Sequence, residues 1–161
     1  MFYKLGSLIN LMKINSVFDN EEKIPMKYTA DGENVNPEIT ITEIPDSAKG
    51  LTLIVEDSDA EKVIGHTFYH WVVFDIPIHS LTVTIKENSL PGNPGESTYK
   101  KKEYGGPSPP KGNGIHHYHF RVYATNKMLE LPSMVPINEI LKKIENTKVA
   151  SAELVGIYSR E

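Results

Sequence analysis

The sequence has no cysteine among its 161 residues. Disulfide bonds and thiolate metal sites are therefore excluded, and the absence fits a reducing compartment. Long apolar runs are also missing, because no stretch approaches the ~20 residues that a membrane-spanning helix needs. The apolar part of the N-terminal segment is too broken for the core of a secretory signal peptide. We therefore predict a cytoplasmic protein with no membrane span.

Positive charge is in short supply as well. The chain has 17 Lys and Arg against 21 Asp and Glu, which gives a net charge of −4. Binding to a phosphate backbone needs a basic surface, so nucleic acid is not expected as the main partner. The one short basic run, residues 100–102, is predicted to be a solvated loop.

The length favours one domain, since 161 residues are enough for a single core and short for two. Met1 and Met12 are both candidate start residues. We predict residues 1–11 as an N-terminal extension, of the kind that is often poorly ordered. Residues 12–161 are predicted as a single domain, which forms a monomer or a homodimer.

Short apolar runs separated by turn residues predict a mainly β protein. Eleven prolines and eleven glycines are spread along the chain, as in folds built from many short strands. Apolar residues at i, i+3, i+4 and i+7 predict a helix over 137–144. We expect an all-β antiparallel sandwich with one or two short helices. The predicted strands are 37–43, 52–57, 71–76, 81–86, 116–124 and 149–158.

Alternation along a strand decides which side chains share a face. On residues 115–123 the more apolar face is expected to point into the core. That face carries His116, Tyr118, Phe120 and Val122. The opposite face carries Ile115, His117, His119, Arg121 and Tyr123. The prediction therefore separates His116 from the other two histidines of the strand.

The same alternation places polar groups at the ends of two other apolar faces. One predicted face holds Leu51, Leu53, Val55 and Asp57. The other holds Phe68, His70, Val72, Phe74 and Ile76. Antiparallel pairing would bring Asp57 and His70 to one edge of the sheet. Buried polar groups need partners, which predicts one pocket shared by Asp57, His70, His116 and Tyr118. Each residue alone also fits a structural role, as a core histidine, a core tyrosine or a turn aspartate.

The stretch GGPSPPKGNG, residues 105–114, leads into His116. Prolines fix φ and stiffen a loop, while glycines let the backbone approach a ligand closely. Consecutive backbone N–H groups can also form a nest for an anion. A protonated imidazole would add a charge-assisted hydrogen bond. The stretch therefore predicts a site for a phosphate or a carboxylate.

Four segments resemble the phosphatidylethanolamine-binding protein family, in its bacterial and archaeal Raf-kinase-inhibitor-like branch. GPSPPKGNGIHHY (106–118) resembles the family signature G-P-x-P-P followed by H-R-Y. DSDAE (57–61) with HWVVFDIP (70–77) resembles the family's D-P-D-x-P and H-W signature. YTADGENVNPEI (28–39) and ASAELVGIYSR (150–160) resemble the two ends of that branch.

The resemblance implies an antiparallel β-sandwich with a small anion-binding pocket. Matched position by position, it implies these ligand-binding residues: Asp57, Asp59, His70, Gly106, Pro107, Ser108, Pro109, Pro110, His116 and Tyr118. The two prolines of D-P-D-x-P are replaced by Ser58 and Glu61, so that wall has lost two rigid positions and gained a charge. The arginine of H-R-Y is His117, which alternation places outside the pocket.

The leading functional hypothesis is a non-enzymatic binding and regulatory protein without a cofactor or a metal. Its pocket would hold a carboxylate or the phosphate-type head group of a phospholipid or nucleotide. Asp57 is expected to orient an imidazole and to favour its charged form; alternatively, it would contact a ligand ammonium group. By resemblance, the wider role would be inhibition of a protease or a kinase.

Three other hypotheses stay open on the sequence. A metal-dependent hydrolase would use His117 and His119 as an H-x-H pair, with His66 and Asp59 as further ligands. A serine esterase would combine Ser108 with His116 and Asp57 but lacks a G-x-S-x-G motif. A protein-interaction module would use the long polar stretch 87–103.

Overall fold

The structure is a computed structural model that describes residues 10–161. The predicted N-terminal extension, residues 1–11, therefore lies outside the described residues except for its last two positions. Residues 12–161 stay predicted as one domain.

Within residues 10–161, nine strands form two sheets. The larger sheet has the order β2-β9-β8-β4-β5-β7, and the smaller has the order β1-β3-β6. Neighbouring strands pair antiparallel except β2 and β9, which pair parallel. The strands are β1 Lys13–Ser16, β2 Glu22–Lys23, β3 Ile39–Thr42, β4 Gly50–Asp57, β5 Phe68–Ile76, β6 Val83–Ile85, β7 Asn93–Pro94, β8 His116–Thr125 and β9 Lys148–Tyr158.

In the described part of the chain, two α-helices and one 3-10 turn accompany the sheets. The helices are α1, Glu61–Ile64, and α2, Ile137–Thr147, and the 3-10 turn is Met26–Tyr28. Within residues 10–161, no helix is long and apolar enough to cross a membrane. The predicted mainly β architecture with short helices is confirmed, and the six predicted strands are present with shifted ends. The sequence prediction missed β1, β2 and β7, which have only two to four residues and so show little alternation.

The main core lies between the two sheets. Ile39 and Ile41 of β3 are fully buried, as are Leu53 of β4 and Phe120 of β8. The alternation predicted for β8 is confirmed, because His116, Tyr118, Phe120 and Val122 are buried while the residues between them are exposed or half-buried. This alternation aims the first two of those side chains toward the end of the core.

The face predicted for β5 is wrong. Val72 and Phe74 do not share a face with His70; they pack in a second core beneath α2, against Ile140 and Ile144. The cause is a β-bulge, because Val55 pairs with Trp71 while Glu56 pairs with Tyr69, which leaves His70 as the extra residue. A bulge reverses the alternation that follows it.

A second shift in the pairing of β4 and β5 restores the predicted inward direction at the end of β5. Leu51 pairs with Ile76, whereas Leu53 pairs with Val73. Ile76 therefore points into the main core together with Trp71 and Val73. Residues predicted to share one face are thus divided between the two cores by a pair of irregularities.

Helix α2 is held to the sheet by its apolar side, and Ile140 is its most buried residue, with no exposed surface. We expect Ile140→Ala to lower the free energy of unfolding by about 3 kcal/mol, because the change removes buried methyl groups and leaves a cavity. Urea unfolding followed by circular dichroism measures this loss. The matched control is Lys142→Ala on the exposed side of α2, which should stay within about 0.5 kcal/mol of the wild type. Equal losses in the two variants would contradict the prediction.

Candidate functional site

Three strand ends meet at one edge of the larger sheet. Asp57 is the last residue of β4, where it lies opposite Phe68 at the start of β5 and Tyr118 near the start of β8. His116 begins β8, and the bulge adds His70 to the same region. The sheet therefore brings together the four polar residues that alternation predicted, although His70 reaches the site through a bulge.

These residues surround a cavity of about 210 Å³. Seven of the ten predicted site residues line it: Asp57, His70, Ser108, Pro109, Pro110, His116 and Tyr118. Five further lining residues were not predicted: Ala60, Val63, Ile64, Phe68 and Tyr99. Val63 and Ile64 are 42% and 47% exposed, so α1 gives the cavity an apolar outer wall. We call this cavity the strand-end pocket.

A buried hydrogen-bonded pair closes one side of the strand-end pocket. His116 Nδ1 lies 2.7 Å from Asp57 Oδ2, and both side chains are almost fully buried. The other carboxylate oxygen, Oδ1, accepts the Ala60 N–H at 3.2 Å and so fixes the turn before α1. His116 Nε2 lies 2.8 Å from Asn113 Oδ1. The contact is consistent with the expectation that Asp57 orients an imidazole.

His70 is held by a different partner. Its Nδ1 lies 2.8 Å from the carbonyl oxygen of Gly105, so Nδ1 carries the proton and donates. Burial lowers the pKa of His70 from 6.5 to about 4, because the charged form loses its hydration. The ring is therefore neutral at pH 7, and the charged imidazole expected in this pocket is not His70.

Aromatic rings enclose His70. The His70 ring centroid lies 4.7 Å from that of Phe68, 5.6 Å from that of Tyr99 and 5.2 Å from that of Tyr118. Burial raises the pKa of Tyr118, which keeps its hydroxyl protonated and able to donate. Tyr99 donates its hydroxyl to the Gly106 carbonyl oxygen at 3.1 Å. These rings make the interior largely apolar, with the Tyr118 hydroxyl as a protonated polar group in its lining.

The loop before β8 is built differently from the predicted anion nest. Backbone N–H groups of four of its residues already donate within the protein: Gly105, Gly106, Gly112 and Asn113. The prolines have no N–H to offer. A Cβ on Gly106 would overlap the Tyr28 carbonyl oxygen, so this glycine serves close packing. The loop contributes a stiff wall to the pocket, and the predicted nest is wrong for these four groups.

Three predicted site residues lie outside the pocket lining: Asp59, Gly106 and Pro107. Asp59 Oδ2 accepts the backbone N–H of His117 at 2.8 Å and lies 2.9 Å from its Nδ1. Asp59, which matches the second aspartate of the family motif, thus contacts His117 and does not line the cavity. Glu61 does not line it either, so the charge that replaces a family proline stays outside.

The outward histidines pair with carboxylates. His119 Nδ1 lies 3.2 Å from Glu153 Oε2, and His117 contacts Asp59 in the same way at 2.9 Å. His66 Nδ1 lies beside the Thr67 carbonyl oxygen. In the part of the chain that the structure describes, no group of three or more His, Asp or Glu side chains could hold a metal ion. Of the residues named for a metal-dependent hydrolase, His117 and Asp59 are in contact, but no set of three comes together among the described residues.

Arg160 brings a positive charge to the rim, and no local pattern in the sequence predicts it. Its guanidinium makes two hydrogen bonds to Asp31, with Nε at 3.0 Å and Nη2 at 2.7 Å. Its Nη1 lies 3.4 Å from Ser108 Oγ and 3.4 Å from the Pro109 carbonyl oxygen. Asp31 and Arg160 are 129 residues apart, a separation at which no local pattern can reveal the contact.

The buried His70 makes stability depend on pH. Between pH 6.5 and about pH 4 the unfolded chain binds a proton at His70 that the folded protein does not bind, so stability falls as the pH falls through this window. From pH 7 to pH 4.5, we expect the free energy of unfolding of His70→Gln to fall by about 2 kcal/mol less than that of the wild type. Urea unfolding at both pH values measures the difference. The exposed His79→Gln is the control and should follow the wild type.

Comparisons with known proteins agree with this architecture. The family profile described as "Phosphatidylethanolamine-binding protein" matches residues 14–159. A UPF0098 protein of Pyrococcus abyssi is 38% identical over 157 residues, which cover 94% of this chain and 86% of the relative. A relative in Mycobacterium tuberculosis that is named as a lipoprotein, LppC, is 30% identical over 142 residues, covering 88% of this chain and 69% of that protein.

Solved structures show the same fold. A phosphatidylethanolamine-binding protein homologue from Chlamydia trachomatis has a TM-score of 0.86 at 29% identity, covering 95% of this chain and all of that one. Carboxypeptidase Y inhibitor, solved in complex with its cognate proteinase, has a TM-score of 0.62 at 16% identity, covering 99% of this chain and 92% of the inhibitor. The resemblance read from the sequence motifs is confirmed: this chain belongs to the phosphatidylethanolamine-binding protein family.

Proposed function

We propose that this is a non-enzymatic binding protein whose strand-end pocket holds a small phosphate-type or carboxylate anion. The observation that carries the proposal is the set of polar groups placed around one small cavity: Ser108 and Tyr118 in its lining, with Arg160 at its rim. The volume of about 210 Å³ suits a head group, since sites for drug-sized ligands are typically about 300–1,000 Å³. The apolar wall of α1 suits the less polar remainder of a phospholipid or nucleotide.

The charges near the rim favour an anion although the whole chain is acidic. Arg160 Nη1 reaches Ser108, and Lys101 Nζ lies 5.7 Å from the centre of the Tyr99 ring. Both cations therefore stand beside residues that line the pocket. The field of such cations draws an anion to the mouth, and it does so more strongly at low ionic strength.

The pocket lacks the arrangement that a serine hydrolase needs. His116 and Asp57 form the expected pair, but His116 Nε2 is next to Asn113 and the Ser108 hydroxyl faces Arg160. A nucleophilic serine has to hydrogen-bond to the histidine that removes its proton. This geometry favours binding over catalysis by these three residues.

Regulation of another protein is the wider role that we propose. The fold is shared with carboxypeptidase Y inhibitor, which supports inhibition of a protease as one form of that role, and inhibition of a kinase is the other form that we consider. The cytoplasmic location and the state as a monomer or homodimer belong to the same proposal. A protein-interaction role through residues 87–103 would not depend on the pocket, so variants of the pocket separate the two roles.

Tyr118→Phe tests whether the pocket binds the anion. The variant removes one hydroxyl from the lining without changing the ring, so we expect phosphoethanolamine to bind about tenfold more weakly, as the loss of one hydrogen bond implies. Titration followed by NMR measures the affinity. The control is Tyr123→Phe, on the outward face of the same strand, which should bind as the wild type does.

An unchanged affinity in Tyr118→Phe would place the ligand elsewhere. No binding of phosphoethanolamine or inorganic phosphate by the folded wild type at millimolar concentration would overturn the proposed function.

A further inference from the structure

The strand-end pocket contains hydrogen-bond acceptors as well as donors. The Asp57 carboxylate lines the cavity, and its two oxygens receive one donor each, from His116 and from the Ala60 N–H. A carboxylate has about four lone-pair positions, so two are left on Asp57. A ligand in the cavity therefore meets a negative group that can accept further hydrogen bonds.

His70 presents a second acceptor. Its Nδ1 carries the proton because Nδ1 faces the Gly105 carbonyl oxygen, which can only accept. In the neutral ring the other nitrogen, Nε2, then carries a lone pair and no proton. Among the described residues no side chain or backbone group donates to Nε2, and His70 lines the cavity. A ligand that reaches this nitrogen has to bring the proton.

These two acceptors are unsuited to an anion that has lost all its protons. Every oxygen of a sulfate or of a doubly charged phosphate monoester offers lone pairs alone, which the Asp57 carboxylate and the Nε2 lone pair repel. The singly charged form of a phosphate monoester retains one P–OH group. Its second pKa is about 6, so this form is common in mildly acidic solution.

We propose that the pocket selects phosphate monoesters in their singly charged form, in which the remaining P–OH donates to Asp57 or to His70 Nε2. The other phosphate oxygens then accept hydrogen bonds from Tyr118 and Ser108. This inference rests on the proposed function and narrows it to monoesters, because an ionised carboxylate and the phosphodiester of a phospholipid have no P–OH group to donate. Asp57 and His70 thus act as specificity-determining residues.

Methyl phosphate and methyl sulfate separate this selection from simple charge attraction. At pH 5.5 both carry about one negative charge and have nearly the same shape, but only methyl phosphate bears a hydroxyl. We expect the wild-type protein to bind methyl phosphate at least about tenfold more tightly in calorimetric titrations, as one charge-assisted hydrogen bond implies. Equal affinities would overturn the inference and leave the proposed function standing. Binding of neither ligand would overturn both.

Repeating the titrations at pH 8 removes the ligand's proton. Methyl phosphate is then mostly doubly charged, and we expect its affinity to fall at least about tenfold despite the added charge. The charge of methyl sulfate is the same at both pH values, so a change in its affinity reports a change in the groups that face the ligand. These groups are Asp57, His70, Tyr99, His116, Tyr118 and, at the rim, Lys101 and Arg160. A higher affinity for methyl phosphate at pH 8 would contradict the inference.

Asp57→Asn tests the acceptor itself. The amide that replaces the carboxylate can donate to an oxygen, so we expect the preference for methyl phosphate over methyl sulfate to shrink to the part that His70 Nε2 contributes. Circular dichroism checks the fold of the variant; if it does not fold, the wild-type comparison of the two ligands decides alone. A folded variant that retains the full preference overturns the role of Asp57.

Ethanolamine supplies the alternative donor, an ammonium group without a phosphate. If ethanolamine binds the wild type as tightly as phosphoethanolamine does, the two acceptors serve an ammonium group and the inference is overturned. Weak or no binding of ethanolamine supports the P–OH group as the donor.

Discussion

The contact between Asp57 and His116 holds two strand ends and one helix of the site together. It links the last residue of β4 to the first residue of β8, and the same carboxylate fixes the turn that begins α1. Both partners are nearly inaccessible to water, so neither can lose the other without leaving a polar group buried and unsatisfied. The geometry of the pocket walls therefore depends on one pair whose members are 59 residues apart in the chain.

Some of this arrangement could be predicted from the sequence. The alternation of β8 is regular over its whole length, so the separation of His116 from His117 and His119 follows from a local pattern. The motif of the loop located three lining residues correctly, Ser108, Pro109 and Pro110. Asp59 shows the limit of a motif, because a matched position does not fix the direction of its side chain; here that side chain contacts His117.

The rest depends on long-range contacts. The bulge at His70 exists only in the pairing of β5 with β4, and no local pattern in residues 68–76 marks it. The same holds for the pairing of Arg160 with Asp31 and for the placement of Tyr99 against Phe68. The antiparallel pairing that predicts His70 at this edge is present, but the face that His70 is expected to share is divided between two cores.

The edges of the larger sheet limit how copies of this protein can associate. Its outermost strands, β2 and β7, have two residues each, and β7 ends in Pro94, which has no N–H. Long exposed edge strands are templates for the addition of another chain, and short or proline-containing edges suppress it. Addition of a strand from a second copy at β2 or at β7 is therefore disfavoured.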